Sequence, residues 1–315
     1  MHSLVSMLKY RRQQGSDSQK DFCIRFLHPI FGRPDRDGNY IKVIGNKPNV
    51  CFTSHHDTVH REDGMQRVRV EDGVAMLDYG EKSSCLGADC TTGIWLMLEM
   101  IDAGIQGVYV IHSAEEIGCV GSSRLIQRNP KWLSHIDAVI SFDRRAYDSI
   151  VTHQMGYRTC SDAFANSLND VIGLGMKPDP TGSYTDSNEY ASRISECTNV
   201  SVGYFDQHSK KETQDLDFAA QLRDALITAD WSKLVIKRDP SVFDVGYWED
   251  FENSFRPREE EVVADLELEE ILDIVCDHPE AVASMLYSYF GSSWDLIDEL
   301  YQHGGDNLMR SASNR

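Results

Sequence analysis

The chain of 315 residues contains no apolar run long enough to span a bilayer, so a membrane protein is not expected. No apolar stretch follows Lys9, Arg11 and Arg12 near the N-terminus, and a secretory signal is therefore not expected either. The eight cysteines lack the regular spacing of a disulfide framework, which points to reduced thiols and a cytoplasmic setting. Lys and Arg do not gather into a patch, so nucleic acid is not an expected partner. Positive charge is scarcest toward the end: residues 239–315 hold 19 acidic residues, four arginines and no lysine. Residues 1–238 hold 31 acidic against 27 basic side chains, so most of the net charge of −19 resides in the tail. This asymmetry divides the chain into a domain at 1–238 and an acidic appendage at 239–315.

What is present in the first part is an alternation of strand and helix patterns. Residues 17–31 read as helical, and Asp37-Gly38-Asn39 reads as a turn into a strand at 40–44. Short apolar runs at 49–53, 107–111, 138–142 and 199–205 fit strands buried on both faces. Helical patterns at 92–103, 122–128, 161–172 and 213–233 lie between and after them. The expected fold is α/β, a mixed and mostly parallel central sheet flanked by helices. In such sheets ligands gather at the carboxyl ends of strands.

Five residues of metal-ligand type recur at or just after those strand ends: His55 in S-H-H-D-T-V, Asp89 in L-G-A-D-C, Glu116 in S-A-E-E-I-G, Asp143 in S-F-D and His208 in F-D-Q-H-S. Two have acidic neighbours, Asp57 and Glu115. On extended backbone, His55 and Asp57 project to one side, so Asp57 can orient the imidazole through its nitrogen remote from the metal. Adjacent Glu115 and Glu116 diverge, which lets one ligate metal while the other faces water as a general base. A carboxylate such as Asp89 can bridge two metals roughly 3.5 Å apart, with Asp143 and His208 completing one metal each. The donors are nitrogen and oxygen, suited to two zinc ions, with manganese or cobalt able to substitute. Taken singly, each motif has a plainer explanation: a polar strand end, a solvated acidic corner, or a capped helix start at Asp89 with Thr91 or Thr92 as the cap. A thiolate site at Cys85, Cys90 and Cys119 has weaker spacing, and buried thiols are expected there.

These motifs, together with T-D-S at residues 185–187 and N-V-S-V-G-Y leading to His208 and Glu212, resemble the co-catalytic di-zinc exopeptidase and deacylase superfamily. The superfamily includes zinc aminopeptidase-like and aminoacylase or carboxypeptidase-like enzymes, and the likeness spans roughly residues 17–230. It implies that His55, Asp89 and Asp143 hold one metal and that Asp89, Glu116 and His208 hold the other. It also implies that Asp57 polarises the first site and that Glu115 is the general base and acid. Metal-dependent amide hydrolysis follows, with a small peptide or acylated amino acid as substrate. Aminopeptidase action is expected first; deacylase or carboxypeptidase action, and a non-catalytic binding protein on the same scaffold, are the alternatives.

Two departures from the pattern matter. Cys90 stands where the family often has a second Asp. Only 64 residues separate Asp143 from His208, too few for the lid domain that one branch inserts there. Substrate contacts must then come from elsewhere, with Arg144, Arg145, His153 and Tyr184 as candidates. Arg144 and Arg145 suit a carboxylate or a surface ion pair, and His153 or Tyr184 suits an oxyanion. Asp186 suits a free amino group or, as the favoured reading, a cap on a helix at 187–193. In the tail, residues 246–258 read as an aromatic linker, followed by helices at 262–275, from Pro279 to 289, and from Trp294 to Gly304-Gly305. That helical region is either an acidic cap on the domain or a module for homo-oligomers or a protein partner.

Overall fold

The structure, a computed structural model, describes residues 3–128 and 134–242. The chain divides into two units, Met1–Phe251 and Glu252–Arg315, and the second lies wholly outside the described residues. The tail helices and linker expected from the sequence therefore fall outside what is described.

Seven strands make the central sheet: β1 Tyr40–Ile44, β2 Val50–His55, β3 Gly107–His112, β4 Ala138–Arg144, β5 Ser149–Val151, β6 Lys177–Asp179 and β7 Glu196–Ser201. Their order is β6-β5-β7-β4-β2-β3-β1. The four central strands run parallel; β1 is antiparallel to β3, and β5 is antiparallel to β7. This is the mixed α/β sheet that the alternating pattern predicts.

Alternation along the parallel strands builds two cores. Phe52, Tyr109, Ile111, Ile140 and Phe142 join one cluster, whereas Cys51, Val108, Val110, Val139 and Cys197 join the other. Such strands, buried on both faces, need apolar residues in both registers, and helices must cover each side. Helix α1, Ala88–Asp102, covers the first face and is buried from Ala88 to Ile101. It lies close because Gly93 faces β4: a Cβ there would sit 2.1 Å from the Phe142 carbonyl oxygen. Helices α2, Val120–Arg128, and α4, Asp186–Tyr190, contribute Leu125, Ile126 and Tyr190 to the second cluster. Helix α3, Asp162–Ile172, is capped by Ser161, and α5, Leu216–Thr228, by Asp215.

Three expectations are corrected. The run at 199–205 is not one strand: β7 ends at Ser201, Gly203 turns at a φ of 87°, and Tyr204–Phe205 joins a separate four-stranded sheet. A left-handed glycine ends one ladder and starts another, which apolar composition alone does not reveal. The helix expected at 213–233 begins only at Leu216, because Thr213–Asp215 pairs with Val74–Leu77. Helix α1 starts four residues before Thr92, so Asp89 lies in a first helical turn rather than at a strand end. Neither Thr91 nor Thr92 caps it; the buried Glu212 carboxylate accepts the backbone N–H groups of Leu86, Gly87 and Ala88 instead. The helical reading of residues 17–31 holds, with a π-helical turn at Cys23–Leu27 just before Pro29. Proline lacks an N–H and its ring crowds the preceding turn, which favours the wider spacing.

Candidate metal centre

The parallel strands deliver their ligand-type residues to one edge. His55 is the last residue of β2, Asp143 lies near the end of β4, and Glu115 and Glu116 occupy the loop after β3. His208 sits between Tyr204–Phe205 and Thr213–Asp215, with a φ of 59°. All five candidate ligands, with Glu115, line one cleft. The ligand atoms of Asp89, Glu116 and His208 lie within 4.8 Å of one another, as do those of His55, Glu115 and Asp143. Asp89 is also within that distance of His55, so it stands between the two histidines.

The two glutamates diverge as adjacent residues must. Glu115 Oε2 lies 3.8 Å from His55 Nε2, while Glu116 Oε1 lies 3.4 Å from His208 Nε2. His55 Nε2 is 3.5 Å from Asp143 Oδ1, and its Nδ1 faces the Asp57 carbonyl oxygen at 3.2 Å. Asp57 does more than orient the ring. Its two oxygens accept the backbone N–H groups of Glu115 and Glu116 at 3.1 and 3.0 Å, tying the loop to the end of β2. That loop needs ties, because Ala114 and Cys119 both adopt positive φ, 61° and 52°.

Charge crowding shows in the acidities. Burial, reinforced by Asp89, pushes Glu116 up to about 7. Burial also raises Glu115 well above the usual carboxylate range, with Asp143, Asp186 and Glu116 adding to the effect. Asp89 goes the other way: burial pushes it up, but its bond to His208, the charges of His55 and His208 and the Cys90 N–H together hold it low. His208 in turn rises to about 11 through Asp89 and Glu116. Glu116 Oε1 is buried and faces only the His208 ring, at 3.4 Å, among the described residues. Buried carboxylates crowded around two histidines are what divalent cations would satisfy, and the nitrogen and oxygen donors fit zinc. Cys85, Cys90 and Cys119 do not form one ligand group among the described residues.

Residues 39–187 match the sequence profile of peptidase family M28. That stretch is similar to a peptidase family, and it holds four of the five candidate ligands. Solved structures share its fold at low identity. Aminopeptidase PepT from Bacillus cereus is 14% identical with a TM-score of 0.56, covering 71% of this chain and 95% of its own. A tripeptidase from Staphylococcus aureus is 14% identical with a TM-score of 0.57 over 71% and 95%. The TET1 peptidase of Pyrococcus horikoshii, which can assemble into a tetrahedron or a large octahedral shell, is 15% identical with a TM-score of 0.53 over 72% and 100%. No curated protein sequence matches the chain.

Within this exopeptidase fold the substrate candidates separate. Arg145 is exposed and lines the cleft. Arg144 also lines it but is tied to Asp179 at 2.9 Å and to Thr181. Tyr184 stands at the rim with its hydroxyl on Glu189. His153 is buried and does not line the cleft; its carbonyl accepts the Gly182 N–H at 3.1 Å and so supports the loop that carries Tyr184. Asp186 does not cap a helix at 187–193. The helix is Asp186–Tyr190, and its first residue turns inward to accept the Ser122 hydroxyl at 2.6 Å. Its other oxygen is unpartnered, and burial raises the carboxyl to about 8.

Several supporting residues stand in the quoted motifs without a role assigned from sequence. Thr185 donates to Asp143 Oδ2 at 2.9 Å, Asn199 accepts the Asp143 N–H at 2.9 Å, and the Tyr204 hydroxyl donates to the Asp143 carbonyl at 2.9 Å. Asn39 Nδ2 donates to the Gly121 carbonyl at 3.1 Å, closing the far end of the Glu115 loop. Their sequence signal is membership of the quoted motifs: Asn39 ends the Asp-Gly-Asn turn, Thr185 opens T-D-S, and Asn199 and Tyr204 bound N-V-S-V-G-Y.

Proposed function

We propose that the chain is a two-metal exopeptidase of aminopeptidase type, acting without an inserted lid domain. The observation that carries this reading is the pair of histidine–carboxylate groups at one edge of the sheet, His55 with Glu115 and Asp143, and His208 with Asp89 and Glu116. His55, Asp89 and Asp143 would hold one divalent ion and Asp89, Glu116 and His208 the other, zinc first by donor chemistry and manganese or cobalt as substitutes. Bound there, the ions would acidify water and polarise the scissile carbonyl.

The chain's own residues supply the rest. Glu115, held by Asp57 through its backbone N–H, takes a proton from water and returns it to the leaving amine. Burial and neighbouring acids raise its proton affinity, as an acid and base working near neutral pH requires. Asp57 fixes His55 and the Glu115 loop together, so the base and the ligand keep their separation. The cleft is small and polar, which suits the end of a peptide.

A second reading, hydrolysis of an N-acyl amino acid, rests on Arg145, an exposed guanidinium at the cleft that is suited to a substrate carboxylate. One assay separates the readings. The protein is offered unblocked di- and tripeptides, aminoacyl anilides and N-acetyl amino acids, before and after chelation. Unblocked peptides should be cleaved, with activity lost on chelation and restored by zinc. Cleavage of N-acetyl amino acids alone would establish the deacylase, and a zinc-loaded protein that cleaves nothing would sink both.

A further inference from the structure

Arg12 is fully buried, yet no carboxylate pairs with it among the described residues. Its guanidinium carbon lies 4.2 Å from the centre of the Phe22 ring, and Nε and Nη1 have no hydrogen-bond partner. A buried cation is expensive, so its retention needs a gain elsewhere. Among the described residues its side chain makes polar contacts only through Nη2, to Cys90 Sγ at 3.0 Å and Thr91 Oγ1 at 2.5 Å. Both belong to the first turn of α1, directly after Asp89.

Each contact leads on to the candidate metal centre. The Cys90 thiol donates to the Asp57 carbonyl at 3.1 Å, the same oxygen that faces His55 Nδ1. The Thr91 hydroxyl donates to the Gly87 carbonyl, just ahead of Asp89. The Arg12 backbone meanwhile pairs with Thr58: its N–H donates to Thr58 Oγ1 at 3.0 Å and its carbonyl accepts the Thr58 N–H at 2.9 Å. Arg12 therefore touches the segment after His55 and the segment after Asp89 at once. It lies well before residues 39–187, outside the stretch that matches the family profile. A thiol at position 90 can accept from a guanidinium and donate to a carbonyl together, which an ionised aspartate cannot.

We propose that Arg12 is a positioning residue of the metal centre, holding the His55 segment and the Asp89 turn in register through Cys90 and Thr91. This rests on the two-metal reading above. The N-terminal segment is then part of the site rather than a wrapping around it.

Zinc affinity tests this directly, measured by competition with a chromophoric chelator alongside the melting temperature of the metal-free protein. Arg12→Gln should weaken zinc binding about 10–100-fold, the range for partners that orient ligands, and Arg12→Lys should recover part of the loss. Cys90→Ala should weaken it as well, and the double variant should be no worse than Arg12→Gln, since both act through one path. Wild-type zinc affinity in Arg12→Gln would overturn the proposal, as would a lower metal-free melting temperature with zinc affinity intact. If Arg12→Gln does not fold, Cys90→Ala decides alone: unchanged zinc affinity overturns the path. A wild-type protein that binds no zinc would instead overturn the two-metal reading.

Discussion

Buried carboxylates at the two ends of the central sheet are treated in opposite ways. At the start of β7, Glu196 is fully buried and every donor it meets is satisfied. It accepts the Ser161 N–H and hydroxyl at 2.7 and 2.9 Å and the N–H groups of Lys237 and Arg238 at 2.7 and 2.9 Å. At the opposite end, Glu115, Glu116 and Asp186 crowd one another; Asp186 keeps an oxygen without a partner among the described residues, and Glu116 Oε1 has only the His208 ring at 3.4 Å. Asp57 shows that location is not the cause: it lies at the crowded end, yet both its oxygens are taken by backbone N–H groups. Saturation by fixed donors marks a carboxylate that holds structure. An open oxygen among like charges marks one that awaits a cation or a proton.

The comparison breaks most sharply if Glu115 can be neutralised at no cost. Glu115→Gln should retain zinc and lower kcat about 10²–10⁴-fold, the usual range for a positioned acid and base. Turnover preserved with zinc bound would move the base elsewhere. The matching change at the other end, Glu196→Gln, should leave zinc affinity and kcat near wild type. It turns an amide toward buried donors that need an acceptor, so unfolding free energy should fall by about 3 kcal/mol in denaturant titration. An activity loss without a stability loss would contradict the structural role.

The ligand order was legible because each motif carries its own chemistry in one short window, and the apolar runs place those windows at strand ends. His55 and Asp143 needed only the strand pattern. Asp89 joins the candidate cluster from a helix rather than the expected strand end, since the helix start depends on Glu212, more than a hundred residues later. Asp186 was misread for the same reason: T-D-S looks like a cap locally, and only the fold brings Ser122 to its carboxylate. Arg12 was invisible, because an arginine near a chain start normally lies in water and nothing local shows that Cys90 and Thr91 will close over it. Side chains that act within a few residues can be read directly. Those that act across the sheet need the sheet.

The smallest effect expected is a drift with pH, and its sign separates the two ends. Without metal, Glu116 rises to about 7 and Asp186 to about 8, chiefly through burial. A carboxyl raised by folding contributes stability that is full below its ordinary value near 4, and that is lost as pH climbs through the raised one. His208, raised to about 11 by Asp89 and Glu116, contributes in full below its ordinary value near 6.5 and loses that contribution as pH climbs toward 11. The metal-free protein should therefore lose stability from about pH 4 to 8. Zinc binding runs the other way, because Glu116 and His208 must shed protons to ligate. Zinc affinity should climb by up to about tenfold per pH unit for each proton released, and the melting-temperature gap between zinc-loaded and metal-free protein should widen from pH 5 to 8. Glu116→Gln should flatten the Glu116 share of that slope, while Glu196→Gln should leave it unchanged. A gap that stays constant with pH would mean that the open carboxylates at the strand ends do not bind the metal.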